Sequence, residues 1–490
     1  MEKTKKDAGK PWLVFGASGY IGSNLVPALL DKGIAVRAAA RRLDVLEARG
    51  WRDVELAAAD ALDPDSLSSV LSDVDVAYYL VHSMSAGRDF GRLDLQAAKN
   101  FADAATNAGV KRIVYLGGLV PDAPDSEHIC SRRDTGDVLR QGGVPVTELR
   151  AGIIVGPGSA AFEVMRDLVF HLPVMVTPRW VRAKSPPIAL DNLLEYLVRI
   201  PLEDAAADRV FDAAGPDILT YEEMMRVLAN VAGRKAPRII PVPVLSPELS
   251  SYWLRFVTSV PTNIARALIG GLKHDFEANT GPLREMIPLD LLDFRQSVEA
   301  AFAAETAGPL EARWVEGAFA MRKKRIDYAF YAKRASGSAV ANASSEAIWS
   351  VVSRIGGDNR YYYLNSLWTL REFLDSLAGG HGMHHGRRDP DALRIGDKVD
   401  SWEVIGVEEN RRLTLAFGMR APGSGILEFT IESLPNARSR ITATAYWHPA
   451  GALGLAYWYS LEPFHKVIFT GMTREICRRA EASASPAPNR

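Results

Sequence analysis

The run Trp12-Leu13-Val14-Phe15-Gly16-Ala17-Ser18-Gly19-Tyr20-Ile21-Gly22 decides how the rest of the chain is read. Trp12 to Phe15 is a short apolar run of the kind buried on both faces of a parallel sheet. Gly16, Gly19 and Gly22 follow at three-residue spacing. Ile21, Leu25, Val26, Leu29 and Leu30 then recur at helical spacing up to the stop signal Lys32-Gly33. The glycines therefore sit at a strand-to-helix turn. Without Cβ atoms the backbone there can turn tightly and approach a pyrophosphate. The helix start offers amide N–H groups and the positive end of its dipole to an anion. Gly16, Ser18, Gly19, Tyr20, Ile21 and Gly22 are thus candidate phosphate contacts, with an ordinary tight turn as the alternative.

The bulk properties bound the reading. At 490 residues the chain has room for two or three domains. A formal net charge of −1 argues against a broad basic field, so nucleic acid is not an expected partner. The two cysteines, Cys130 and Cys477, provide no disulfide or zinc framework and fit a reducing, cytoplasmic setting. Residues 1–10 are polar and lack the apolar core of a secretory signal; they and residues 483–490 read as disordered ends. Ile441 to Leu461 carries no Asp, Glu, Lys or Arg and approaches the length of a membrane span. Pro449 and two glycines interrupt it, and Thr442, Thr444, Tyr446 and His448 alternate, so it reads as a strand, a turn and an amphipathic helix. Peripheral contact with a membrane surface through Trp447, Tyr457, Trp458 and Tyr459 is the remaining membrane alternative.

Five further strands follow the first. Residues 34–40 end in Arg41-Arg42. An acidic residue at that strand end would suit the ribose hydroxyls of NAD; two guanidinium groups suit a 2′-phosphate, which favours NADP while leaving NAD open. Residues 54–59 end in Asp60-Ala61-Leu62-Asp63, where Asp60 and Ala61 can meet an adenine edge and Asp63 can cap the helix at 64–71. Residues 74–81 end in Leu80-Val81-His82, at the mouth of the same crevice. Residues 111–116 run into Gly117-Gly118, and residues 145–150 into a glycine-rich segment at 152–158. Helices are expected at 90–108 and 126–141, between these strands. Strands alternating with helices of these lengths give a parallel, doubly wound sheet.

Residues 12 to about 235 resemble the short-chain dehydrogenase/reductase superfamily, in its extended or atypical branch that includes NmrA-like proteins. The resemblance rests on the glycine run at 16–22, Asp60-Ala61-Leu62, Val110 to Leu116, Leu149 to Gly158, Pro187 to Asn192, and Phe211 to Pro216 with Leu219 to Glu223. It implies a Rossmann-type sheet holding NADP or NAD. Family enzymes carry a Tyr-x-x-x-Lys pair on the helix after strand five; at i, i+4 the two share one face. Here those positions hold His128 and Arg132, and the family serine falls near Gly117-Gly118. His128 is a candidate general acid and Arg132 a candidate ribose or phosphate contact, against the reading of both as a solvated helix face. Tyr78, Tyr79, His82 and Tyr115 are other candidate donors, Tyr115 reading rather as core.

A proline-rich stretch with Pro237, Pro241, Pro243 and Pro247 opens a helical cap or linker over 236–320, with helices at 249–257, 264–272 and 289–304 in which Trp253 and Phe256 read as packing. The remainder, 321–482, changes character. It begins with a strand at 326–331 and a helix capped by Ser344. Strands are then expected at 398–407, 413–417, 425–431 and 439–447, with a helix from about 453 to 479. This order resembles a helix-grip, START-like domain, whose curved sheet encloses an apolar cavity, and the tail is similar to the uncharacterised domain often fused behind atypical short-chain dehydrogenases. Its pieces include Leu367 to Arg371, Gly379 to Gly382, Gly386 to Pro390, Gly396 to Lys398 and Tyr457 to Tyr459. His381, His384 and His385 with Asp389 match no metal-ligand spacing, so no metal is expected. Arg387 and Arg388 read as surface salt bridges, with contact to a substrate carboxylate or phosphate as the alternative. The fold class expected is an α/β doubly wound Rossmann-type parallel sheet followed by an α+β helix-grip domain. The function expected is an NADP(H)-binding, oxidoreductase-like protein acting on a small hydrophobic molecule. A non-catalytic NADP sensor or assembly factor, or a membrane-associated lipid binder, are the rivals. The oligomeric state is not legible.

Overall fold

In a computed structural model of the protein, the described residues are 9–47, 49–82, 90–122, 124, 126–242, 258, 260, 274–307, 328–377, 387 and 393–484. The expected linker helices at 249–257 and 264–272, Pro243 and Pro247, the strand start at Ile326-Asp327, and His381, His384, His385, Arg388 and Asp389 lie outside them. The chain divides into two units, Met1–Lys323 and Lys324–Arg490.

Strand β1 (Trp12–Phe15) is the centre of the first unit. After it come α1 (Tyr20–Asp31), β2 (Val36–Ala40), α2 (Leu43–Glu47), β3 (Val54–Ala58), α3 (Pro64–Leu71), β4 (Val76–Tyr79), α4 (Phe90–Ala108), β5 (Arg112–Gly118), α5 (Glu127–Arg140) and β6 (Val146–Ala151). Then follow α6 (Ala160–His171), α7 (Leu190–Arg199), β7 (Val210–Ala213), α8 (Tyr221–Val231) and α9 (Phe294–Ala307). The seven strands form one parallel sheet in the order β7-β6-β5-β4-β1-β2-β3. Winding reverses between β1 and β4, which opens a crevice beyond their carboxyl ends. Because successive strand side chains point to opposite faces, Val14 and Tyr78 pack with Leu25 and Leu197 on one side. Leu13, Phe15 and Tyr79 pack with Phe101 on the other. The helix expected from 289 begins only at Phe294: the Asp293 carboxylate accepts the Gln296 amide at 2.7 Å and caps it there.

The second unit orders as β8 (Lys333–Ala341), α10 (Ser345–Val352), α11 (Asn365–Leu377), β9 (Lys398–Val399), β10 (Trp402–Glu408), β11 (Arg412–Phe417), β12 (Gly423–Leu434), β13 (Arg438–Pro449) and α12 (Gly451–Ala484). Its six strands form an antiparallel sheet in the order β8-β13-β12-β11-β10-β9. The single strand expected over 398–407 is two, because Asp400 takes a positive φ of 52° between them. Helix α12 packs across β8 and β13. Gly337 permits this approach, since a Cβ there would lie 2.3 Å from the Thr470 amide nitrogen. The Ser344 hydroxyl caps α10 by accepting from the Ala347 amide. Arg387 donates to the Ile355 and Ser353 carbonyls at 2.7 and 2.8 Å.

Among the described residues no helix is long and apolar enough to cross a membrane. The stretch after Ile441 is the rest of β13 to Pro449, one bridging residue, Ala450, and the start of α12 at Gly451, so the strand and helix expected there are present and the turn is reduced to a single residue. Trp447 and Trp458 are buried, 5% and 4% exposed.

Candidate functional site

The carboxyl end of β1 turns directly into α1. Gly16 sits at φ +96°, and a Cβ on it would come within 3.0 Å of the Leu80 carbonyl group and 3.1 Å of Val81 Cγ2, so only glycine lets β1 and the end of β4 close up here. The Gly16 and Ala17 amides both donate to the Ala39 carbonyl, tying the loop to β2. A Cβ on Gly22 would lie 2.5 Å from the Gly16 oxygen, so α1 rests on the loop's own backbone. Gly19 is the N-cap and offers no side chain, so no side chain caps α1, whose first-turn amides lack intrahelical partners. Ser18, Tyr20 and Ile21 stand in the same turn. Tyr20 reaches a second glycine segment, since a Cβ on Gly156 would lie 2.7 Å from the Tyr20 oxygen. The pocket thus has the form of a pyrophosphate cradle: closely approached backbone and a helix N-terminus without a competing carboxylate.

Around the cradle the other candidates take distinct places. Arg41 and Arg42 follow β2 and are exposed. Arg49, which the strand-end pattern does not single out, extends Nη2 to the Ser18 carbonyl at 3.5 Å and brings a third guanidinium to the loop. Asp60 accepts the Leu62 amide at 3.0 Å, and Ala61 is buried with its carbonyl held by the Asn100 side chain at 3.0 Å. Asp63 caps α3 through the Asp65 amide. The Leu80 amide donates to the Phe15 carbonyl at 3.0 Å, so Leu80, Val81 and His82 emerge beside the glycine turn.

Two histidines face one another beyond β4 and at the start of α5. The His82 and His128 ring centroids are 6.4 Å apart, with the rings nearly perpendicular. Burial, then the Arg132 guanidinium, then His82 lower the proton affinity of His128 to about 3. Burial and then Arg132 lower that of His82 to about 4, although His82 presents surface to solvent, which tempers the effect of its surroundings. His128 is the second residue of α5, and the positive end of the helix dipole opposes a second positive charge there. These surroundings disfavour the charged form of His128. Arg132 is not a solvated surface residue. Its Nη2 donates to the Leu116 carbonyl at 2.9 Å, while its own carbonyl accepts from Tyr115 Oη at 2.9 Å.

The alternative tyrosine donors fail for a common reason. Tyr78 is fully buried with its hydroxyl on the Leu197 carbonyl, Tyr79 is buried in the aromatic layer with Phe15 and Phe101, and Tyr115 is engaged by Arg132. Burial pushes the Tyr115 phenol up to about 12 and raises the other two further. The glycines at the family serine position have a packing explanation. Glu148 on β6, 1% exposed, joins Arg140 and Arg150. A Cβ on Gly117 would come within 3.0 Å of its Oε1, and one on Gly118 would lie 3.7 Å from Arg132 Nε. Among the described residues no group of histidine, cysteine and carboxylate side chains could hold a metal ion.

With this geometry in view, the likenesses to known proteins fall into place. Residues 10–153 match the model of the NmrA-like family. The matched residues lie in the first unit, which is NmrA-like in that sense. Residues 326–472 match a family described as a protein of unknown function, DUF2867. A ceramide reductase of Caulobacter vibrioides is 27% identical over 297 residues, 56% of this chain and 88% of that protein. A (4-alkanoyl-5-oxo-2,5-dihydrofuran-3-yl)methyl phosphate reductase of Streptomyces griseus is 29% identical over 231 residues, 45% of this chain and 74% of that one. Among solved structures, a triphenylmethane reductase of Citrobacter sp. superposes with a TM-score of 0.50 at 20% identity, covering 60% of this chain and 99% of its own. That likeness establishes the NmrA-like unit's fold.

Proposed function

We propose that the NmrA-like unit binds NADP(H) and serves as an oxidoreductase for a small hydrophobic carbonyl, enone or quinone. The observation that carries this is the glycine turn at the β1–β4 switch point, where backbone packs too closely for side chains and α1 begins with an uncapped N-terminus. Arg41, Arg42 and Arg49 supply guanidinium groups where an acidic residue would serve NAD, which favours the 2′-phosphate form. The names of the two curated relatives, both reductases, support the reaction class. When bound, the dinucleotide would supply the hydride. The chain's part is polarisation. A neutral His128 would donate an N–H hydrogen bond to the substrate oxygen, as a neutral imidazole at a helix N-terminus does elsewhere, and the oxyanion left by hydride addition would take its proton from solvent water. Arg132, held against β5, fixes positive charge beside it. A second reading, a dinucleotide-binding sensor without turnover, is favoured by one observation: the surroundings of His128 disfavour its charged form, and among the described residues Tyr78, Tyr79 and Tyr115 are buried.

The test is fluorescence titration with NADPH and NADH, followed by turnover with quinones, enones and aldehydes. A Cβ on Gly19 would meet only the Gly16 oxygen, at 3.2 Å, so Gly19→Asp asks the loop to give by a few tenths of an ångström while setting a carboxylate against the phosphates, and its folding is checked alongside by thermal denaturation. Like-charge contact of that kind costs several kcal/mol, and each ~1.4 kcal/mol is about tenfold, so NADPH affinity drops about a hundredfold or more. Loss of one phosphate-facing guanidinium, by Arg42→Ala or Arg49→Ala, lowers NADPH affinity about tenfold and leaves NADH affinity unchanged. Wild-type protein that binds neither dinucleotide sinks both readings. Tight NADPH binding with no turnover, unaltered in His128→Ala, selects the sensor.

A further inference from the structure

The second unit holds a feature that the reading above does not use: a cavity of about 340 Å³ between α11, α12 and the inner face of the sheet. That volume lies at the low end of the ~300–1,000 Å³ typical of small-molecule pockets. Its walls are apolar and aromatic, with Trp402, Phe417, Trp447, Trp458 and Phe469 among them. One cation enters it, Arg371 from α11. Its Nη2 donates to Tyr457 Oη at 2.8 Å, and its guanidinium lies over the Phe417 ring at 4.7 Å and the Tyr457 ring at 5.9 Å.

What Arg371 lacks is an anion in direct contact. Of the acids beside it on α11, Glu372 pairs with Arg360 at 3.1 Å, and Asp375 accepts the Arg420 amide at 2.6 Å and acts on Arg371 only from beyond ion-pair distance. Among the described residues no carboxylate comes within ion-pair distance of Arg371. Burying a cation among neutral partners is costly, and proteins ordinarily pair such a charge. Across the cavity, His465 stacks between Trp458 and Phe469, at 4.6 and 5.7 Å, and its Nδ1 is buried without a hydrogen-bond partner. A guanidinium with donors to spare, an orphaned ring nitrogen and an apolar wall describe the complement of a chain molecule with one negative end.

We propose that this cavity binds a singly charged amphiphile, a long-chain carboxylate. Its carboxylate sits on Arg371 with Tyr457 and His465 beside it, and its chain lies along the aromatic wall. One guanidinium balances one charge, which fits a carboxylate better than a doubly charged phosphate monoester. The apolar rim provides a route for the chain: Leu370 and Phe464, both lining residues, are 53% exposed. The site is independent of the dinucleotide cradle, and its ligand need not be the redox substrate.

The experiment is a titration of the full-length protein with dodecanoate and with dodecan-1-ol, read by tryptophan fluorescence. NADPH binding is measured on the same samples, so that failure of the cradle and failure of this site are told apart. Wild type should bind dodecanoate at least about tenfold tighter than the alcohol, the worth of one charge-assisted pair. Arg371→Gln should bring the two to equal affinity without weakening the alcohol. Arg371→Lys, which keeps the charge, should restore part of the preference and serves if the glutamine variant does not fold. Ala445→Phe, which fills the lining from β13, should remove both ligands. Equal binding of acid and alcohol by wild type, an unchanged preference in Arg371→Gln, or no binding of either overturns the proposal.

Discussion

His128 combines a sequence position that suggests acid–base chemistry with surroundings that keep it uncharged. The unfolded imidazole takes up a proton near 6.5 and the folded one only near 3, so between these values the unfolded chain binds more protons. Stability contributed by the neutral ring is therefore present above pH 6.5 and is lost as pH falls toward 3. His128→Gln should flatten that part of the stability curve relative to wild type, measured by urea denaturation at closely spaced pH values; identical slopes would count against a neutral His128. The same shift makes any turnover that depends on His128 insensitive to pH between about 5 and 8, where an ordinary histidine would impose a midpoint. The placement of His128 and Arg132 one helical turn apart could be read from their spacing. The charge state of His128 could not, since it depends on His82, which arrives from another strand end, and on how deeply α5 beds against β5. Arg49 was illegible for a related reason. It lies far from Ser18 in sequence and meets it only because β2 pairs with β1.

At the scale of elements, Glu148 links three of them. It is buried on β6, joins Arg140 of α5 and Arg150 of its own strand, and lies against Gly117 of β5 and Gly136 of α5. In an exposed helix, glycine to alanine stabilises by about 1 kcal/mol. At Gly136 the sign should reverse. A Cβ there would stand 2.5 Å from Glu148 Oε2, and that side chain cannot swing away because two arginines hold it. Gly136→Ala should therefore destabilise by about 1–3 kcal/mol, the usual cost of overpacking, in chemical denaturation. Stabilisation would mean that the Glu148 contacts are looser than described. A lone buried acid in a strand carries no sequence signal that separates it from an exposed one on the alternate face. The strands themselves did carry signal. Apolar runs such as Val14-Phe15 and Tyr78-Tyr79, punctuated by glycine, marked the parallel sheet, and the alternation from Thr442 to His448 marked β13 against a membrane span. Where the reading slipped, a local device prevailed: Asp400 with its positive φ between β9 and β10, and Asp293 capping α9 later than the apolar pattern began.

Across the whole molecule, each unit assembles its own core. Val14, Leu25 and Leu197 belong to the first, and Ile348, Phe429 and Ile476 to the second. Ligand binding stabilises the unit that holds the ligand, by about 2.7 kcal/mol at a hundredfold excess over Kd. For a domain of this size that raises the midpoint by roughly 5–10 °C. Calorimetry of the full-length protein should accordingly resolve two transitions, because a chain with separate cores does not unfold in one step. NADPH should raise one of them and leave the other in place. Dodecanoate should do the reverse, and Arg371→Gln should cancel its effect while preserving the response to NADPH. Gly19→Asp should produce the opposite pattern, losing only the NADPH response. A dodecanoate shift of the NADPH-sensitive transition would place the amphiphile in the dinucleotide unit, which contradicts a cavity built entirely from residues 367–469.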